Sequence, residues 1–502
     1  MLKKYLAVLL FSFLTITADY NIVDCYNFLV DNLHANEILA ENFYAHTYFL
    51  NMRPINSYPI YLNYHYDQIC QDKTFNLFAF YNETLKMNFT KKSDVISSYL
   101  NIGPGQGFIP ILEELREFIL NLSGVDVPET IGLLVGATVQ ERRAGILMQF
   151  LKTHKNFTFE ISTPIMYQES NFFLGDKEQK ALLEQFDQGT QDGSTSFVRE
   201  HLVADRLGIG DTRIKIGCQL VQNNRFCSTL GAQISLPTAF SFKKGLYGSS
   251  YRKKCMQQPD FALCSLIELF LDPDKIDYAK GGEIAKNFGF NAIDWLSAIL
   301  LDDPLGNNKH FTLGCFLESK FQIAENIHLD SVASLEYIIP KQERRFFLTK
   351  KNKTLFANDM FPDLDPDDPD NIPIATELVN FLSKQAVETF FPPQYTATVA
   401  PGFMFQFTVS PKVIVRDWTF NVGYDFWFRQ REHINPIYNV PIEGLKNSCA
   451  PKCSQSKLFA AVKFNKIREC FDWAISLSAD QAISKSGIGR DFNFALGFQV
   501  NF

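Results

Sequence analysis

Large apolar residues alternate with small or polar ones along much of the chain. The stretch DFNFALGFQVNF shows this most clearly, because every second residue in it is large and apolar. These apolar residues are Phe492, Phe494, Leu496, Phe498, Val500 and Phe502. Successive side chains of a β-strand point to opposite faces, so the pattern predicts a strand with one apolar and one polar face.

The same alternation predicts twelve strands in total. They span residues 72–82, 139–152, 155–167, 211–222, 225–236, 309–323, 326–339, 395–409, 412–428, 456–466, 469–479 and 491–502. Strands of soluble sheets commonly run about 5 to 6 residues, whereas a tilted transmembrane strand needs about 9 to 11. Several of the predicted strands belong to the longer class, which favours a membrane-spanning barrel over a soluble sandwich.

Short and long connections alternate between these strands. The short ones are Thr153-His154, Asn223-Asn224, Ala324-Glu325, Ser410-Pro411 and Ile467-Arg468, and the long ones span residues 83–138, 168–210, 237–308, 340–394, 429–455 and 480–490. Tight turns at one end and long loops at the other are typical of outer-membrane barrels. The predicted fold is therefore all-β, a transmembrane antiparallel up-and-down β-barrel of about twelve strands, or of fourteen if residues 84–90 or 131–138 also span.

Three of the long loops contain apolar residues at a spacing near 3.6, which predicts amphipathic helices over residues 110–122, 283–301 and 375–390. Such helices can plug the lumen, cap the mouth of the barrel or lie on its outer surface. They can also simply give a large loop its own small core.

The N-terminal residues MLKKYLAVLLFSFLTITADY have the organisation of an export signal. Lys3 and Lys4 precede an apolar core that ends at Leu14, and small residues up to Ala18 follow. We therefore expect a signal peptide over residues 1–18, a periplasmic extension or a plug over 19–71, and the outer-membrane barrel over 72–502.

The composition narrows the class of function. The 48 Phe and 19 Tyr against 4 Trp favour pleated, half-buried surfaces, and the net charge of −7 without a basic cluster argues against nucleic acid as a partner. The ten cysteines include no CxxC pair and no zinc-like spacing with histidine. They can form local loop disulfides or serve as small apolar residues in strands. The sequence contains no GxSxG motif and no Ser–His pairing that would indicate a hydrolase. We therefore expect neither enzymatic activity nor a metal or other cofactor.

Two short segments resemble known outer-membrane proteins. The terminal Phe502, with apolar residues at every second position before it, resembles the C-terminal signal of Gram-negative outer-membrane β-barrels. A weaker likeness lies at Leu207–Asp211, which resembles the GxGD strand entry of porin-like channels, including channels linked to hydrocarbon uptake. The resemblance implies a location in the bacterial outer membrane and recognition of Phe492, Phe494, Leu496, Phe498, Val500 and Phe502 by the barrel-assembly machinery.

If the apolar faces contact lipid, the alternate positions line the lumen. The pore-lining candidates are Glu160, Arg213, Lys215, Glu318, Lys320, Asp330, Glu336, Asp417, Asp425, Lys463 and Asp472. Both signs of charge are present, which is compatible with a water-filled path of weak selectivity. The alternative is a closed lumen packed by ion pairs, as in small barrels.

These observations lead to two hypotheses about function. The first is a channel or porin-like transporter in the outer-membrane bilayer, conducting ions or small solutes. The second is a surface-exposed adhesin or structural outer-membrane protein whose lumen is closed. A secreted soluble β-protein is disfavoured by the length of the strands and by the segregation of the long loops.

Overall fold

A computed structural model describes the strands of the protein and parts of their connections. The described residues are 53–58, 73–84, 138–174, 199–223, 225–246, 304–347, 394–438, 449–466 and 472–502, together with Val23, Lys180, Asp294, 297–298, Leu301, 364–365, 368–371, 373–375, 377–378, Val440 and Leu445. Within them, no helix is long and apolar enough to cross a membrane.

Seventeen strands and one short 3₁₀ helix, Ile55–Ser57, are defined in the described residues, beside isolated helical residues of the connections. The strands are β1 Lys73–Thr84, β2 Thr138–His154, β3 Phe157–Phe173, β4 Val203–Ile209, β5 Thr212–Gln222, β6 Phe226–Leu236, β7 Phe240–Lys244, β8 Thr312–Ala324, β9 Ile327–Ile338, β10 Lys341–Phe346, β11 Gln394–Ala400, β12 Gly402–Val415, β13 Trp418–Arg429, β14 His433–Ile434, β15 Cys453–Lys466, β16 Asp472–Ser486 and β17 Asp491–Asn501.

Twelve antiparallel strands close into a barrel. Each wall strand pairs with two neighbours, and β1 pairs with β17, with Phe75 opposite Val500, so the sheet has no open seam there. The strands β4 and β7 pair with each other and extend the wall beyond β5 and β6, while β10, β11 and β14 form a separate sheet. The prediction of an antiparallel barrel of about twelve strands is confirmed.

The two faces of the barrel wall differ in polarity. On β17 the side chains of Phe494 and Leu496 are 40% and 49% exposed on the outer face, whereas Asn493 and Ala495 are fully buried inside. The same alternation recurs on β12, β13 and β16. An apolar outer face around a polar interior is the arrangement that lets a barrel span a bilayer, because lipid solvates the apolar side chains.

The predicted strand 395–409 is wrong in its boundaries. Its first half, β11, pairs with β10 and β14 outside the barrel, and the wall strand β12 begins only at Gly402. Gly402 has a φ of +81°, which a residue with a side chain rarely adopts, and it lets the chain leave one sheet and enter the other. The predicted turn at Ser410-Pro411 lies inside β12, and the actual turn is at Arg416 and Asp417.

The prediction that a strand begins at Asp211, after a long loop, is wrong. Gly210-Asp211 instead interrupts a longer strand, with β4 before it and β5 after it, and both halves pair with β3. The carboxylate of Asp211 accepts hydrogen bonds from the backbone nitrogens of Asn307 at 2.5 Å and Ala239 at 3.2 Å. This side chain therefore holds the backbone of two connections, at Asn307 and at Ala239, against the interruption.

The other connections follow the predicted order along the chain, but the positions of their turns differ by one or two residues. The turn after β2 lies at Lys155-Asn156 rather than at Thr153-His154, and the turn after β8 lies at Glu325-Asn326. The predicted turn Ile467-Arg468, the possible extra strands over 84–90 and 131–138, and the predicted helix over 110–122 lie wholly or largely outside the described residues. Helical residues are described within the two other predicted helices, among them Asp294, Ser297, Ala375 and Glu377.

Candidate functional site in the barrel lumen

The inner face of the wall contains most of the predicted pore-lining residues. Those buried on the inner face are Glu160, Arg213, Lys215, Glu318, Asp330, Glu336, Asp425 and Lys463. Lys320 and Asp472 are partly buried and occupy inward positions of β8 and β16. Asp417 is the exception, because it lies in the exposed turn between β12 and β13, 4.0 Å from Lys466. Its assignment to the pore is corrected, since the strand predicted to begin at residue 412 begins at Trp418.

Ion pairs connect inward residues of neighbouring strands and of strands farther apart in the wall. Lys412 lies 2.8 Å from Asp330, and Lys215 lies 3.6 Å from both Glu160 and Glu318. Arg213 contacts Glu336 on the far side of β6 and β8. Each of these buried charges is thus compensated by a partner, and removal of one partner would leave the other charge buried and unpaired at a large cost.

A segment of the N-terminal region lies inside the barrel. Arg53 Nη1 is 2.5 Å from Asp425 Oδ2, and both side chains are fully buried. Tyr58 donates a hydrogen bond to the carboxylate of Asp491 at 2.6 Å, and Lys457 Nζ lies 4.0 Å from the centre of the Tyr58 ring. Residues 53–58 therefore occupy the lumen; we call them the lumen segment.

The backbone of the lumen segment is also held by the wall. The side-chain amide of Gln406 donates to the carbonyl oxygen of Ser57 at 2.7 Å, and Arg143 donates to that of Arg53 at 2.8 Å. On the opposite wall, Arg213 donates to the carbonyl oxygen of Asn56 at 3.2 Å. The wall strands β2, β5 and β12 thus bind one short piece of chain from several directions.

Apolar contacts add to the polar ones. Ile55 and Tyr58 belong to a buried cluster inside the barrel with Phe78, Phe80, Leu147, Met166, Leu305 and Ala495. This burial stabilises the position of the lumen segment, at roughly 25 cal/mol per Å² of apolar surface removed from water.

A cavity separates the lumen segment from the interrupted part of the wall. It encloses about 820 Å³ including the solvent at its mouth. Its polar lining includes Arg53, Arg143, Arg213, Gln168 and Gln406, and its apolar lining includes Met166, Pro164, Leu305, Met404 and Trp427. The space presents both apolar surface and hydrogen-bonding groups, as ligand-binding cavities do.

Several residues of this site were not among the predicted candidates. Asp491 occupies an inward position of the last strand, which the alternation identifies, so the pattern was sufficient to find it. Lys412 was missed because the turn was predicted one residue before it. Arg53 lies in a region without alternation, and no sequence pattern pointed to its role.

The separate sheet of β10, β11 and β14 contains an ion network of its own. Arg345 lies 2.8 Å from Glu343 and 2.9 Å from Glu432, and His310 contacts Glu343. Burial alone raises the pKa of Glu343, but Arg345 and His310 outweigh it and lower that pKa to about 2. Arg345 and Arg429 lower the pKa of Glu432 in the same way, against the effect of its burial. The sheet also has an apolar core that includes Phe347, Val399, Val440 and Cys449.

Five cysteines lie in the described part of the chain. Cys218, Cys227, Cys315, Cys449 and Cys453 are free thiols, so a disulfide between Cys449 and Cys453 is not formed. Within the described part of the chain, no group of three or more His, Cys, Asp or Glu side chains could hold a metal ion.

Comparisons with known proteins give likeness of fold only. No family model matches the chain, and no curated protein matches it. Among solved structures, it is similar to an outer membrane channel from Pseudomonas putida F1, with 8% identity, a TM-score of 0.41, and coverage of 86% of this chain and 96% of that one.

Two further solved structures are similar at the same level. The Pseudomonas putida toluene transporter TodX has 9% identity and a TM-score of 0.28, over 91% of this chain and 95% of that one. The transport unit of the autotransporter AIDA-I from Escherichia coli has 5% identity and a TM-score of 0.35, over 96% of this chain and 100% of that one. The closed twelve-strand wall, apolar outside and polar inside, has the architecture of a bacterial outer-membrane β-barrel.

Proposed function

We propose that this protein is an outer-membrane channel for ions or small solutes, and that the lumen segment closes it. The observation that carries the proposal is the placement of residues 53–58 inside a polar-lined barrel, where Arg53 and Tyr58 bind wall carboxylates. In this proposal residues 1–18 direct export, and the barrel-assembly machinery recognises the strand that ends at Phe502.

The backbone of the lumen segment is held by hydrogen bonds that can be exchanged, in addition to its buried ion pair and apolar contacts. Its hydrogen bonds from Gln406 and Arg143 go to single carbonyl oxygens, and the described segment forms no ladder with any wall strand. The net contribution of such a hydrogen bond is about 0.5 to 1.5 kcal/mol for the neutral amide of Gln406 and about 1.5 to 3 kcal/mol for the charged guanidinium of Arg143. In this proposal, withdrawal of the segment opens a path through the lumen without breaking the wall.

The test is the conductance of the purified protein in planar lipid bilayers. In one variant residues 53–58 are replaced by a Gly-Ser sequence of equal length, and in the control variant Lys466→Met removes only an exposed charge. We expect discrete conductance steps that are larger or more frequent in the replacement variant than in the wild type and the control. The channel proposal fails if neither form conducts although the barrel remains folded, as judged by different gel mobility of unheated and boiled samples.

A second candidate function is a surface protein with a permanently closed lumen, either an adhesin or a structural protein. The paired charges inside the barrel and the separate sheet with its own core favour it. Absence of conductance in both forms, with the folded barrel retained, is the result that would select this candidate.

A further inference from the structure

The carboxylate of Asp425 has an unusual cationic partner. The side chain of Asp425 is fully buried in the barrel wall. Among the described residues, the cation within ion-pair distance of it is Arg53, which belongs to the lumen segment. Its other oxygen accepts hydrogen bonds from the hydroxyl of Thr408 at 2.7 Å and from the amide of Gln406 at 3.0 Å. These neutral donors orient the carboxylate but leave its charge to be balanced by a residue outside the wall.

The wall lysine nearest in register does not take this role. Lys457 is opposite Asp425 on the neighbouring strand β15, but its Nζ lies 2.8 Å from Asp480 and 2.8 Å from Asp491. In this region the wall presents Asp425, Asp480 and Asp491 to Lys457, while the nearby Arg143 of β2 contacts Glu141. The guanidinium of Arg53 supplies the missing positive charge only while the lumen segment is in place.

We propose that the wall around Asp425 is a binding subsite for a solute that carries a guanidinium group, and that Arg53 occupies it in the closed channel. A buried carboxylate is unfavourable without a counter-charge, so a cation that takes the place of Arg53 when the segment withdraws is stabilised there. The guanidinium is the group that the site holds here, with Asp425 as its charged acceptor. The inference rests on the proposed function in one respect, since it requires that the lumen segment can leave its position.

A solute can approach this subsite from the neighbouring cavity. Arg53, Gln406 and Trp427 all line that cavity, and Gln406 is also a hydrogen-bond donor to Asp425. A guanidinium-bearing molecule in the cavity is thus next to the residue it would displace. Since Arg53 is tethered to the same chain, it competes at a high effective concentration and weakens the apparent affinity for the solute.

The test is direct binding of free arginine to the full-length protein in detergent, measured by isothermal titration calorimetry. The variant Arg53→Gln removes the tethered guanidinium, and we expect it to bind arginine at least ten times more tightly than the wild type. Citrulline, which has the same shape and a neutral ureido group, should bind neither protein measurably. Equal affinity of the variant for arginine and citrulline would overturn the proposal, as would equal arginine affinity of the variant and the wild type.

Two double variants locate the subsite. In the Arg53→Gln background, Asp425→Asn should abolish arginine binding, whereas Asp330→Asn should leave it unchanged, because Asp330 is equally buried but pairs with Lys412. Loss of binding in both would contradict the assignment to Asp425. The citrulline comparison needs no change at Asp425, so it still decides if that double variant fails to fold. Binding without any conductance would reject the channel and keep the subsite.

Discussion

At the scale of single residues, one buried ammonium group connects three parts of the lumen. Lys457 on β15 contacts Asp480 on β16, Asp491 on β17 and the ring of Tyr58 in the lumen segment. It is fully buried, as are the two carboxylates to within a few per cent. Water cannot solvate the two buried carboxylates when their lysine is removed. Removal of Lys457 should therefore cost far more stability than the loss of a surface ion pair.

We predict that Lys457→Met lowers the free energy of unfolding by about 3 to 5 kcal/mol, the usual effect of leaving a buried charge unpaired. The measurement is urea unfolding in detergent, followed by the difference in gel mobility between folded and unfolded barrel. The matched control is Lys466→Met, which removes an exposed ion pair with Asp417 and should change the value by less than about 1 kcal/mol. Similar effects of the two substitutions would contradict the role given to Lys457.

Single residues also differ in whether their position could be predicted from the sequence. The alternation identifies the inward positions of Asp425, Asp480 and Lys463, because side-chain direction in a strand follows directly from parity. It cannot identify Arg53, whose role depends on a contact between residues 372 positions apart in the chain. Such a contact depends on how the chain folds back into the barrel, and no local pattern records that path.

At the scale of elements, the last strand tests the assignment of the two faces. Leu496 lies on the outer face of β17, opposite Leu477 of β16, and both side chains are about half exposed. If this face contacts lipid, a charge placed there must lose its hydration. The outer face should therefore tolerate apolar changes and reject charged ones.

We predict that Leu496→Arg destabilises the barrel in lipid vesicles by about 2 to 4 kcal/mol, the range for a basic residue near the middle of a bilayer. The control is Leu496→Met, which keeps an apolar side chain of similar volume and should change stability by less than about 1.5 kcal/mol. Both are measured by urea unfolding of protein folded into vesicles. An arginine tolerated as well as the methionine would mean that this face does not contact lipid.

The elements β11 and β12 explain why strand boundaries were harder to predict than strand existence. Residues 395–409 keep the same parity of apolar positions on both sides of Pro401-Gly402, and both parts are indeed strands. The alternation reports that one face is apolar, but it does not report what covers that face. In β11 the apolar residues Ala397 and Val399 enter the core of the separate sheet, whereas in β12 Phe403 and Phe405 face outward.

At the scale of the whole molecule, the protein has two parts that should respond differently to acid. The separate sheet depends on Glu343, whose pKa of about 2 in the folded protein lies below its ordinary value of 4.5. A carboxyl group with a lowered pKa stabilises the folded state above its unfolded pKa, and this contribution is lost as the pH falls towards the folded pKa. The shift corresponds to roughly 3 kcal/mol between about pH 4.5 and pH 2.

We predict that the separate sheet opens progressively over this pH range. Cys449, in its core, should react with a dithiodipyridine reagent, which modifies thiols in acid, faster as the pH falls. Cys453, in the wall strand β15, serves as the internal control, and each site is read by mass spectrometry. In Glu343→Gln the labelling of Cys449 should depend less on pH. A pH dependence as steep in this variant as in the wild type would exclude Glu343 as its source.

The pairing of β1 with β17 has a consequence for how this protein can fold. Phe75 and Val500 are opposite each other although more than four hundred residues separate them along the chain. Contacts of such high sequence separation carry the largest loop-closure entropy, and chains that depend on them fold slowly. The final ladder cannot form until β17 has been synthesised. Until then, every earlier strand has an unpaired edge or an uncovered apolar face. Closure of the barrel is therefore a late, all-or-none event, and the unclosed chain needs protection from aggregation until it occurs.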